Sequence, residues 1–447
     1  MLDLFGVNLE QQGRGFYVSL EMLAIARGVY EVAPTALLDA DAGVVTYLRS
    51  SHDFARRIAV NAGIDAETLT AAIDDEETFA TLQALASSLL VQIPGRRTSP
   101  NWYNTHLYPF VGELIHYDAA ERWKAGLPRG TKMPHIERYV FRDGGAWAYR
   151  VLRTDADIAR RAQTSEGLLE LVRDSDSPLG EIFHSLRNHD YAKDEVPYED
   201  KSESEIKTFE DLSPWPEHLR RGAHFIVSRT AVPRSKRIES LMHWTPYCLA
   251  RHQLHLARVS LGRPLETVFA DFVKDPTPLR RLSQSALDAF RKDIVNAIIA
   301  RATALHDAAL NEENEALAMR YIRHMSPSAT GTGSPRSFFS ETLAAVGALN
   351  ATTGRRHFTM KPPMLEALVA ASLAPGTEEE FYSFCSRIYN QYQVIIDDRT
   401  AGEHDLTVDV DASIYARNSD TFRSRLAATG LLTHYSDATS IVHGEPR

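Results

Sequence analysis

The sequence predicts a mainly α fold, a helical multidomain protein with a small β-hairpin region and a C-terminal unit of three helices closed by a hairpin. Three observations carry this. Apolar residues recur at helical spacing over long stretches of the 447 positions. Asp143-Gly-Gly, flanked by Tyr139-Val-Phe141 and Ala146-Trp-Ala-Tyr149, is the clearest hairpin signal outside the C-terminus. From Pro362 onward, breakers and candidate caps mark off three helices and two short strands.

Taken in order, residues 1–187 form a helical N-terminal domain carrying the hairpin near 139–151. Its helices include Phe16 to Val29 and Phe79 to Val91, while residues 94–135 look irregular. Residues 188–214 form an acidic linker or loop: between 188 and 211 nine acids oppose Lys193, Lys201 and Lys207. The sign then reverses. Between 217 and 237, Arg220, Arg221, Arg229, Arg234, Lys236 and Arg237 face only Glu217. This basic stripe opens a helical domain, 215–325, with long helices expected over 238–262 and 285–322. Residues 326–362 read as a linker plus a helix, Phe338 to Leu349.

The last unit spans 363–447. Pro362 and Pro363 suit a helix start, and Met364, Leu365, Leu368, Val369 and Leu373 share one face. Pro375-Gly376 ends that helix, and Thr377 with Glu380 reads as a capping box for the next, whose apolar face is Phe381, Phe384, Cys385, Ile388 and Tyr392. A third helix is expected to start at Asn418 or Ser419, with Phe422 and Leu426 inward and Gly430 just past its end. Leu431 to Tyr435 and Thr439 to Val442 read as strands around a Ser-Asp turn. Three helices followed by a hairpin is the winged-helix order. The segments Phe422-Arg-Ser-Arg-Leu426, Gly430-Leu-Leu and Tyr435-Ser-Asp-Ala-Thr resemble the C-terminal winged helices of prokaryotic multi-gene systems, including anti-phage defence islands. The resemblance covers about a quarter of the chain. Residues 397–417 depart from it, inserting Asp397, Asp398, Glu403, Asp405, Asp409 and Asp411 where a tight turn should join helices two and three.

Charge bears on what this unit touches. From Gly331 to Arg447 there are 14 acids and 10 bases, a net of −4, although Arg417, Arg423 and Arg425 lie on the third helix. A duplex-binding module ordinarily carries a basic footprint. The whole chain has a formal charge of −10, which excludes coating nucleic acid over its full surface but leaves room for a local patch. Cys248 and Cys385 are the only cysteines, so no disulfide framework is expected, in keeping with a cytoplasmic location. The opening Met-Leu-Asp-Leu-Phe-Gly has no basic n-region, and no run of 18 apolar residues occurs; neither a signal peptide nor a membrane partner is expected.

Enzyme signals are sparse. His243, Cys248 and His252 are the candidate metal ligands, with Cys248 and His252 four apart on one helical face. His255 is turned about 60° from His252 on that helix, beside Arg251 and Arg258, whose charges would repel a metal ion. The His-Asp pairs at 52, 189 and 306, and Glu205-Ile-Lys207, match fragments of metal-dependent hydrolase and nuclease motifs without their context. Gly331-Thr-Gly-Ser-Pro-Arg-Ser could present helix N–H groups to an anion beside Arg336, but lacks a P-loop ending. No catalytic residue and no cofactor is assigned. The expectation is a non-enzymatic component of a prokaryotic complex, docking a protein partner, DNA or both, as the resemblance to defence-island proteins implies. The arginine stripe and Arg417, Arg423 and Arg425 would make the contacts. A metal-dependent hydrolase or nuclease and a transcription regulator are the competing readings.

Overall fold

A computed structural model describes residues 2–9, 16–32, 37–39, 144–173, 206–265, 267–327, 335–350, 354–435 and 439–445. The expected helix Phe79 to Val91, the irregular 94–135, Tyr139 to Phe141, most of the acidic segment and the glycines at 331 and 333 lie outside them.

The described residues are mainly helical with small sheets, as predicted. The N-terminal helices are α1 (Leu2–Phe5), α2 (Phe16–Val32), α3 (Gly144–Arg153) and α4 (Ile158–Val172). Then come α5 (Trp215–Val227), α6 (Arg234–Ser260), α7 (Pro278–Asn311), α8 (Glu315–Met325) and α9 (Pro335–Ala345). The C-terminal helices are α10 (Pro362–Ser372), α11 (Phe381–Tyr392), α12 (Asp398–Glu403) and α13 (Ala412–Ala428).

Gly144 and Gly145 do not form a hairpin turn. They open α3, and Ala146 to Tyr149 lie buried along it. The glycine serves close packing instead: a Cβ on Gly145 would meet Glu21 Cβ and the Met22 amide nitrogen of α2 at 2.4 Å. The Gly145 N–H donates to Glu21 Oε2 at 2.8 Å, so a carboxylate from α2 caps α3.

α6 is buried on almost every side from Arg237 to Arg258, the pattern of a central helix. It runs through Pro246. The helix expected over 285–322 is two helices. Glu313 takes a positive φ of 56°, Asn314 caps Leu317, and α8 folds back along α7.

In the C-terminal unit the order is helix, strand, helix, helix, hairpin. β2 (Glu378–Glu380), β4 (Leu432–His434) and β5 (Ser440–His443) make an antiparallel sheet ordered β2-β5-β4, with Glu379 opposite Val442 and Thr433 opposite Ile441. Pairing with β5 claims the backbone of 378–380, so the Thr377 capping box does not form. Glu380 caps α11 instead, accepting from the Ser383 N–H at 2.9 Å. α13 starts earlier than predicted, at an Asp411 cap, and Asn418 lies inside it. Gly430 follows with φ 74°, in the left-handed region glycine adopts freely.

A second pairing joins this unit to the helical body. β1 (Val268–Phe269) runs parallel to β3 (Val394–Ile395). Buried Asn418 completes the joint: it accepts from the Phe272 N–H at 2.7 Å and donates to the carbonyls of Ala270 and Ile396 at 2.9 and 2.8 Å. α10 lies against α5 and α6, where Gly222 lets Trp244 and Ala371 approach. One apolar core cluster therefore extends from Leu4 through α6 to Val442.

Candidate functional site

The basic stripe does not form a solvent-facing strip. Arg220, Arg229 and Arg237 are buried, and each is engaged by partners inside the protein. Arg220 donates to the carbonyls of Val151 and Thr154 at the end of α3, and pairs with Glu210. Arg229 donates to the carbonyls of Ala370 and Leu373 at the end of α10. Arg237 reaches the Val227 carbonyl ending α5 and makes a two-pronged pair with Glu170, at 2.8 and 2.7 Å. That pair holds the Glu170 carboxyl below its usual range. Arg234 donates to the Leu171 and Arg173 carbonyls ending α4. The last carbonyls of a helix have no intrahelical donor and carry its negative dipole end, so a guanidinium fork suits them. Lys236, with 54% of its side chain exposed, pairs with Glu239 and Glu366. Arg221 is half-buried and donates to Gln391 Oε1 at 2.8 Å.

The α13 arginines differ among themselves. Arg425 turns inward to the carbonyls of Met360 and Phe272. Arg423 lies over the Phe381 ring at 4.5 Å and donates to Asp420. Arg417 is exposed, at 61%, and faces Asp275. Helix N-termini here are also unsuited to phosphate: Glu380, Asp397 and Asp411 supply side-chain acceptors to the first turns of α11, α12 and α13. Arg336, the expected anion contact before α9, donates instead to the carbonyls of His324 and Ser326 at the end of α8.

His243, Cys248 and His252 do not make a ligand set. His243 Nδ1 bonds the Val346 carbonyl, whereas His252 Nδ1 bonds Ser213 Oγ at 2.9 Å. Cys248 is fully buried, and burial pushes its thiol well above the ordinary range, away from the thiolate zinc requires. Among the described residues no three His, Cys, Asp or Glu side chains are placed to hold a metal ion. Of the other fragments, His306 and Asp307 pair with each other on α7, and Ile206 is buried beside Lys207, whose N–H donates to Gly6. Glu205 and the His-Asp pairs at 52 and 189 lie outside the described residues.

A cluster the sequence did not single out sits where α5, α6 and the end of α11 meet. Arg251, only 3% exposed, has its guanidinium 4.8 Å from the Trp215 ring centre and donates to Tyr247 Oη and the Tyr392 carbonyl. Neither Arg251 nor Arg221 pairs with a carboxylate among the described residues. His218 and His255 flank them. His218 is pushed down to about 4 by burial, then by the charges of Arg221 and Arg251. His255 is lowered by burial and by Arg251, and His252 to about 3 by burial and by His255. Arg251 Nε, His218 Nδ1, His255 Nδ1 and His252 Nε2 are buried without hydrogen-bond partners. The sequence shows Arg221 within the basic stripe and Arg251 beside His255, but nothing in it brings these residues together with His218.

No family model, curated protein or solved structure matches this chain. Among the described residues no helix is long and apolar enough to cross a membrane.

Proposed function

We propose that this chain is a non-enzymatic component of a prokaryotic assembly, that residues 363–447 are a winged helix, and that this unit docks a protein rather than a duplex. The helix–strand–helix–helix–hairpin order and the β2-β5-β4 register support the winged-helix reading. The observation that carries the docking choice is the fate of the basic side chains. Apart from Arg221, which donates to the Gln391 side chain, those nominated for phosphate contact cap helices, stack on aromatic rings or face acids, and three N-termini of the unit are occupied by carboxylates. The outward positions of α13 then offer Ser413, Arg417, Asp420 and Ser424, a mixed polar surface. Such a surface suits the rim of a protein interface, where steering charges of both signs set register. The resemblance to defence-island winged helices supplies the proposed setting, a multi-subunit system in the cytoplasm.

Fluorescence anisotropy with labelled duplex DNA tests the choice. The full chain should bind no better than the non-specific range, roughly 10⁻⁴–10⁻⁶ M, with a shallow salt slope. A photo-crosslinker at Ser424 in cells of the source should yield one discrete protein adduct that is lost when Arg417 is changed to Glu. Nanomolar, steeply salt-dependent duplex binding that disappears in R417E would overturn the reading.

A further inference from the structure

We infer that His218 and Arg221 of α5, with Arg251 and His255 of α6, form an oxyanion site that takes a phosphate or carboxylate group at the end of α11.

Charge is the first argument. Two guanidinium groups converge on the last turn of α11: Arg221 on the Gln391 side chain and the Tyr392 hydroxyl, Arg251 on the Tyr392 carbonyl. The dipole end of one helix is equivalent to roughly half a negative charge, which leaves most of two positive charges uncompensated. Among the described residues some buried cations meet a carboxylate, as Arg237 meets Glu170, Arg258 meets Asp293 and Arg220 meets Glu210, whereas Arg229 and Arg336 meet helix-end carbonyls. Arg251 has neutral partners, the Tyr247 hydroxyl, the Tyr392 carbonyl and the faces of Trp215 and Tyr247, and in addition lies beside Arg221, His218 and His255. An uncompensated buried charge is costly, and an incoming anion removes that cost.

Hydrogen-bonding capacity is the second. Arg251 Nε is a donor with no acceptor. His218 and His255 each have one nitrogen engaged with backbone, at Gln391 and Leu212, and their Nδ1 atoms unpaired. Protonation would turn both Nδ1 atoms into donors. The groups facing them are Arg221 on α5, Tyr247, Cys248, Arg251 and His252 on α6, and Tyr392 on α11, so among the described residues no acid is seen to oppose an anion there. Access is from the rim, where His218, Arg221 and Gln391 are partly exposed and Leu212 is exposed.

An anion between the two arginines favours the charged histidines, so binding takes up protons and tightens as pH falls. This inference stands apart from the docking reading, and either can fail alone. Sulfate serves as the phosphate-like probe because its charge is constant over the range, and acetate as the carboxylate probe. Isothermal titration of the full chain at fixed ionic strength, at pH 6.0 and 7.5, should show saturable 1:1 binding of one or both. Affinity should be higher at pH 6.0, and proton uptake should appear when buffers of different ionisation enthalpy are compared. R221Q at the rim and H255Q further in, both leaving Arg251 in place, should each weaken binding about tenfold, the loss of one charge-assisted hydrogen bond. Absence of saturable binding of either anion would overturn the site, as would equal binding in wild type, R221Q and H255Q.

Discussion

Arg229 donates to the carbonyl oxygen of Leu373 across 2.7 Å, closing α10 with a side chain that belongs to the end of α5. The same device recurs. Arginines from elsewhere in the chain cap the C-terminal carbonyls of α3, α4, α5, α8, α10 and α11, through Arg220, Arg234, Arg237, Arg336, Arg229 and Arg251. Each ties one helix end to another element, so a run of positive charge in the sequence becomes a set of internal clamps. Burial lowers the Arg229 guanidinium to about 10, still charged at neutral pH.

Arg229→Met should therefore destabilise the fold by about 2–4 kcal/mol, because two buried carbonyls lose their donor at about 1–3 kcal/mol each. Lys236→Gln, on an exposed side chain of the same stretch, should stay within about 0.5 kcal/mol of wild type. Urea midpoints at neutral pH separate the two. Equal effects from both substitutions would mean that Arg229 is not a clamp.

Asn418 is the second joint. Its side chain makes three hydrogen bonds that tie α13 to the segments after β1 and β3. Asn418→Ala should cost about 2–4 kcal/mol, from the unpaired Phe272 N–H and the two carbonyls. Asn418→Asp should cost more, because a carboxylate cannot donate and would face both carbonyls with its own charge. The order N418D below N418A below wild type in thermal midpoint is the check; an aspartate variant as stable as wild type would contradict this geometry.

Gly145→Ala places a methyl within 2.6 Å of Val18 O, Glu21 Cβ and Met22 N, all on α2. Separating α2 from α3 also pulls the Glu21 carboxylate from the Gly145 N–H. The expected loss is about 1–3 kcal/mol from overpacking, plus a cap contribution of about 1 kcal/mol. A thermal midpoint unchanged by this substitution would show that the two helices are not in contact at this point.

What the sequence disclosed follows from how local each signal is. The apolar faces of α10 and α11, the hairpin of β4 and β5 and Gly430 depend on spacing within a few residues, and they were legible. Gly145 was misread because a glycine pair suits a tight turn and a close helix approach equally well, and only Glu21, 124 positions away, distinguishes them. The start of α11 shifted because β5 recruits Glu378–Glu380 from far along the chain. The arginines carried the largest error. Whether a guanidinium meets solvent or a helix end depends on which carbonyls the fold brings near it, and Arg229 finds its partners 141 and 144 positions on. The Arg251 cluster was missed for the same reason: His218, Arg251 and Tyr392 sit on three different helices.

Acid should unfold this protein through its buried histidines. His218 is held down to about 4 and His252 to about 3, first by desolvation and then by neighbouring Arg221, Arg251 and His255. An unfolded histidine titrates near 6.5, so below that pH the unfolded chain binds protons the folded chain refuses, and stability falls as pH falls. The contribution is fully present above pH 6.5 and is lost progressively toward pH 4. For His218 the shift corresponds to roughly 3 kcal/mol, at about 1.4 kcal/mol per unit. Urea midpoints measured from pH 7.5 to 4.5 in chloride buffer, free of sulfate and phosphate, should decline steeply in wild type. His218→Gln should flatten that decline while losing some stability at pH 7.5, where the neutral imidazole still packs against Trp215 and Tyr392. Parallel pH profiles for the two proteins would show that His218 ionises freely in the folded state and that the charges around it do not act on it.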